Sequence, residues 1–175
     1  FDYNMRIFNT ISMNNNHDHR FHPEDPIEVT FGLENYKIFK HILDVDISML
    51  RKPANDNQLP VHYASMYGKL DIFNCIVDYD FNMIYEADAK INLPIHYATR
   101  FGHIDIVKNI ISIDINLINK IGEYEQSPLI IATSIKNVHI IKYLLSFNQI
   151  NKSHKDMDGK SALDYARERK LDSAV

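Results

Sequence analysis

The chain has 175 residues, 45% of them hydrophobic and 24% charged, with a formal net charge of −4 and a pI near 6.1. That balance is ordinary for a folded soluble protein and lacks the basic excess a general nucleic-acid binder needs. No apolar run approaches the ~18 residues of a membrane-spanning helix, and a single cysteine, Cys75, leaves no internal disulfide and favours a reducing, cytoplasmic setting.

In chain order, residues 1–12 come first. Ile7-Phe8 with Ile11 repeat the spacing of Ile38-Phe39 with Ile42 at an offset of 31, which predicts the second helix of a partial unit. Residues 1–24 are then a flanking helix followed by an Asn/His-rich loop. His17, His19 and His22 in that loop have a spacing that can ligate zinc or nickel. The surrounding Asn14-Asn15-Asn16 and Pro23 predict a polar connector without fixed geometry, so no metal and no other cofactor is expected.

From residue 25 onward a 34-residue period organises everything. Pro26, Pro60, Pro94 and Pro128 stand at equal intervals, and the next step lands on Ala162. Leu59-Pro60-Val61-His62-Tyr63-Ala64 becomes Leu93-Pro94-Ile95-His96-Tyr97-Ala98, then Ser127-Pro128-Leu129-Ile130-Ile131-Ala132. Ile38-Phe39, Ile72-Phe73, Ile106-Val107 and Ile140-Ile141 keep the same interval, each followed by a second apolar pair. Such a period marks a solenoid whose units bury their apolar faces only by stacking.

One unit reads from Asn55 to Asp88. Asn55, Asp56 and Asn57 are turn formers, Pro60 suits a first helical position, and Gly68 suits a helix end. Asp71 starts a second helix whose Ile72, Phe73, Ile76 and Val77 form a buried stripe. Phe73 and Ile106 are predicted at unit interfaces. The following loop has its own echo, Asp46-Ile47-Ser48, Asp80-Phe81-Asn82 and Asp114-Ile115-Asn116.

From about Asp25 to the C-terminus this pattern resembles the ankyrin repeat. Leu59-Pro60-Val61-His62 and Leu93-Pro94-Ile95-His96 are similar to the family's tetrapeptide, with Leu for the usual Thr, and Ala64 and Ala98 occupy its helix-packing alanine position. Gly68-Lys69-Leu70-Asp71-Ile72 and Gly102-His103-Ile104-Asp105-Ile106-Val107 resemble its second-helix start. The resemblance implies an all-α ankyrin-repeat solenoid of about five stacked helix-turn-helix units, near 21–54, 55–88, 89–122, 123–156 and 157–175, together a domain spanning 25–175. Two departures stand out. The period is 34 rather than the family's 33, and the glycine ending the β-turn survives only as Gly159, with Asn57, Ile91 and Glu125 elsewhere, which argues against a tight hairpin there. The first unit is degraded to Asp25-Pro26-Ile27-Glu28, as suits an end cap. Because the chain opens on Phe1 and stops within a last unit after Leu171, it reads as a stretch of a longer protein.

Chemistry-bearing residues have plain structural readings. His62 and His96 recur at the packing period, so each imidazole is expected to bond turn backbone and tie units together. Cys75 shares a position with His41, Asn109 and Tyr143, which predicts a tolerant, partly exposed site without a basic neighbour to activate a thiol. No phosphate loop, nucleophile elbow or metalloprotease helix is present. The chain is therefore not expected to be an enzyme.

What varies between units is expected to recognise a partner, because the resemblance implies that turns and first-helix ends line a concave binding face. Those residues are Asn55, Asp56 and Gln58 with Met66 and Tyr67, then Lys90 and Asn92 with Arg100 and Phe101, then Tyr124 and Gln126 with Ser134 and Ile135. Tyr67, Arg100 and Phe101 are expected side by side, outside the apolar stripe. The expected role is a non-catalytic protein–protein interaction module without nucleic-acid or membrane partners. The alternative is a regulatory or recruiting ankyrin segment of a larger enzyme, channel or secreted effector, with its partner in the same polypeptide. Partner identity and oligomeric state are left open.

Overall fold

A computed structural model describes residues 36–171. The expected helix at 1–12, the His17–His22 cluster, the degraded turn at Pro26 and residues 172–175 lie outside the described residues.

Within them the chain forms α1 (Tyr36–Val45), α2 (Pro60–Tyr67), α3 (Leu70–Tyr79), α4 (Pro94–Arg100), α5 (Ile104–Ile113), α6 (Pro128–Ser134), α7 (Val138–Leu145) and α8 (Ala162–Glu168). Strands are absent among the described residues, apart from an isolated bridge between Lys155 and Ser161. Pro60, Pro94 and Pro128 each open a first helix, where a missing N–H leaves no bond unmade. Gly68 ends α2 in the left-handed conformation at φ 68°.

First helices α2, α4, α6 and α8 pack side by side, and second helices α1, α3, α5 and α7 form a row behind them. The two rows differ in character. In α4 every residue from Pro94 to Thr99 is buried, because a first helix is enclosed by its neighbours and its own second helix. The fully buried Ala64, Ala98 and Ala132 let these helices approach closely. Second helices keep an exposed face and bury only their stripe, including Phe73, Ile76, Ile106 and Ile110. This is the stacked, all-helical solenoid that the period predicts.

The loop echo has a physical cause. Asp46, Asp80 and Asp114 each cap a 3₁₀ turn, accepting the N–H two residues on at 2.9–3.0 Å. Those turns carry apolar residues inward: Met83, Ile84, Leu117 and Ile118 are fully buried. The helical periodicity did not reveal them, since they lie outside either helix.

The turns correct the sequence reading. Asn57, Ile91 and Glu125 adopt φ of 59°, 59° and 55°, matching Gly159 at 72°, so the tight geometry persists without glycine. The 88–92 turn shows what holds it. Asp88 Oδ1 accepts the N–H groups of Lys90 at 2.9 Å and Asn92 at 2.8 Å, and its other oxygen accepts from the Tyr97 hydroxyl. The Ile91 N–H meanwhile reaches the Asp88 carbonyl at 3.0 Å. These bonds offset the roughly 1–2 kcal/mol that a Cβ costs in the left-handed region.

Cys75 is also corrected. It is buried, at 5% exposure, in the face of α3 turned towards α1, and burial raises its thiol pKa. His41 at the equivalent position is exposed, and Asn109 and Tyr143 are half-buried, so equivalence in sequence did not fix exposure.

Candidate functional site

The histidines hold the scaffold. His62 Nδ1 accepts the Leu59 N–H at 2.9 Å while its Nε2–H donates to the Glu86 carbonyl at 3.0 Å. His96 repeats this with Leu93 at 2.9 Å and Lys120 at 3.0 Å. Each ring caps its helix and ties it to the loop entering the next turn, as expected from its recurrence. An acceptor Nδ1 requires the neutral tautomer. Burial accordingly lowers the pKa of both, taking His96 down to about 4.

Three residues expected at the partner surface bond across units, and one of them, Asn92, is buried. Asn92 is 3% exposed, and its Oδ1 accepts the Glu123 N–H at 3.1 Å. Gln58 donates to the Tyr97 hydroxyl, and Gln126 bonds the Asp156 side chain. All three stand at one register position, just after the turn, where the side chain faces the following unit. Of Asn55, only the backbone is described.

The turn tips do face outward. Asp56 and Lys90 are exposed and paired at 3.2 Å, and Tyr124 is 58% exposed. Ile91 at 58% and Met157 at 68% belong with them, although the sequence reading did not select either. Carrying the first turn position from Asn55 through Ala89 and Glu123 leads to Met157, so the period contained that signal. The tips are stitched in pairs, Ala89 N–H to the Asp56 carbonyl at 2.7 Å and Met157 N–H to the Tyr124 carbonyl at 3.0 Å.

The first-helix ends divide. Tyr67 is half-buried, packs on the core and stacks on Tyr63 with centroids 6.5 Å apart, so it does not stand outside the packing. Met66 is half-buried, and its carbonyl accepts from His103 Nε2 at 2.9 Å. Ser134 returns its hydroxyl to the Ile131 carbonyl at 2.8 Å. Phe101 and Ile135 remain 44% and 41% exposed. Arg100 sits beside them and reaches Glu123 of the next turn at 3.8 Å, which links helix ends and turn tips on one side of the stack. Among the described residues, no three or more His, Cys, Asp or Glu side chains group to hold a metal ion, and no helix is long and apolar enough to cross a membrane.

A family model for ankyrin repeats, in three copies, matches residues 29–119, just over half of the chain. No curated protein matches it.

Proposed function

The chain belongs to the ankyrin-repeat family, whose repeats are protein–protein interaction modules, and from that premise we propose that it binds a protein partner through its turn tips and first-helix ends without catalysis. One observation carries the reading. Tyr124 and Met157, both more than half exposed, sit on turns whose backbones are bonded to one another. Large side chains on a rigid frame lose little entropy when a partner covers them, which is what an anchor requires.

Asp56, Lys90, Ile91, Arg100 and Phe101 extend the surface along the stack. Meanwhile His62, His96 and Cys75, the side chains with most chemical potential, are committed to packing and capping. A net charge of −4 disfavours a nucleic-acid partner. A domain of the same polypeptide would serve as well as a separate protein.

The test is capture of a partner on the immobilised chain, followed by Tyr124→Ser and Met157→Ser. Binding should weaken by at least ~1–2 kcal/mol for one of them, the scale of interface anchors. Lys108→Ala and Lys142→Ala, on the exposed side of the second helices, should be neutral. Sensitivity of the lysines alone would place recognition on the opposite face.

A further inference from the structure

Between the ends of α4 and α6 lies a cleft of about 490 Å³ whose lining includes Arg100, Phe101, Ile135, Lys136, Asn137 and His139. It exists because one unit departs from its neighbour. In the preceding unit, His103 stands where Asn137 stands here. Its ring lies 2.4 Å from where a Cβ on Gly68 would be, and its Nε2–H donates to the Met66 carbonyl at 2.9 Å, covering the corresponding seam. Asn137 is shorter. Its Oδ1 accepts the Ile140 N–H at 3.1 Å and its Nδ2 stays 3.1 Å from the Cβ position of Gly102, so no ring spans the seam.

Two further exchanges change the charge. Lys136 replaces Gly102 and His139 replaces Asp105 at a spacing of 34, so a flexible position and a carboxylate become two basic side chains. With Arg100, the ionisable residues lining the cleft are then all of the basic type, in a chain of net charge −4. Arg100 is turned towards Glu123, 3.8 Å from its Nη1, and its Nη2 is buried without a hydrogen-bond partner, so the exposed Lys136 is the cation most open to a ligand. Phe101 and Ile135 supply half-exposed apolar walls. The cleft is shallow and open to solvent, which suits one or two side chains of a partner and neither an enclosed ligand nor a whole helix.

We propose that this cleft receives an acidic peptide segment of the protein partner. An aliphatic or aromatic side chain lies against Phe101 and Ile135, and a neighbouring carboxylate meets Lys136. The inference rests on the recognition reading above and narrows the chemistry of what is recognised. Charge complementarity selects an acidic segment, because the lining carries Lys136 and Arg100 and no carboxylate.

The experiment pans a phage-displayed library of random peptides on the folded chain and measures synthetic winners by fluorescence polarisation. Enriched peptides should carry Asp or Glu beside Phe, Trp, Leu or Ile. Asn137→His, which copies the closed arrangement of the preceding unit, and Lys136→Gly should each weaken them at least ~10-fold, or ~1.4 kcal/mol. Lys136 lies at φ 61°, so glycine there relieves strain and binding loss cannot be laid to unfolding. Circular dichroism and urea midpoints verify this, and if Asn137→His fails to fold, Lys136→Gly decides. Failure to enrich any peptide, enrichment of basic or uncharged peptides, or winners indifferent to both variants would overturn the proposal. Winners lost on Tyr124→Ser but indifferent to the cleft variants would overturn the cleft alone and leave recognition along the turns standing.

Discussion

Acidification should destabilise this solenoid well above the range where carboxylates protonate, and His96 is the main reason. Its ring is 1% exposed, accepts from Leu93 and donates to Lys120, so the neutral form fits and the imidazolium does not. Burial is the main cause, with the Arg100 charge adding to it and the Asp88 charge opposing it, and the pKa stands at about 4 against an ordinary 6.5. The unfolded chain therefore binds more protons than the folded one between those values. Stability from this group is complete above pH 6.5 and is lost as the pH falls towards 4. Between pH 7.5 and 5.0 the linkage relation gives a loss of about 2 kcal/mol from His96 alone. His62, lowered for the same reason, adds to it in the same direction. Asp46, Asp80, Asp114 and Asp164, whose pKa values are depressed, lose their contribution only lower down, so this window isolates the histidines. Urea denaturation at the two pH values measures the loss. His96→Asn keeps an acceptor and a donor, and should flatten the pH dependence by about 2 kcal/mol whatever it does to stability at pH 7.5. A wild-type chain equally stable at both values, or a His96→Asn variant with the full acid loss, would refute the reasoning.

Ile91→Gly should raise stability by up to about 1 kcal/mol in urea denaturation, since relief of left-handed strain exceeds the entropy cost of glycine and Ile91 is 58% exposed. Phe73→Ala and Ile106→Ala remove side chains with almost no exposure and should each cost about 2–5 kcal/mol, read as lowered urea midpoints. Gly68→Ala should destabilise by at least ~1 kcal/mol, because its φ is 68° and the new Cβ would lie 2.4 Å from the His103 ring; His103→Ala in the same chain should recover part of the loss. Cys75, buried with a raised thiol pKa, should react with a thiol reagent in native protein only at the rate of local opening, and at once in urea.

The sequence by itself determined the repeat, the helices and the capping histidines. These depend on which residues recur every 34 positions, and proline, alanine and paired apolar residues act through local rules that need no partner. The candidate site was legible only as a set of variable positions. Periodicity says that Gln58, Asn92 and Gln126 are equivalent, but it does not say which way they point. Their turns aim them at the next unit, where they bond its polar groups, while Tyr124, two residues before Gln126, and Met157 in the following turn face outward. The turns were misjudged for a related reason. Ile91 disfavours a positive φ on its own; Asp88 holds the turn by bonds to Lys90 and Asn92 within it, and the Tyr97 hydroxyl from α4 fixes that carboxylate once the unit has folded. The cleft beside Arg100 likewise depends on the reach of one side chain across a seam: His103 spans it, Asn137 does not, and only tertiary packing gives that length a consequence.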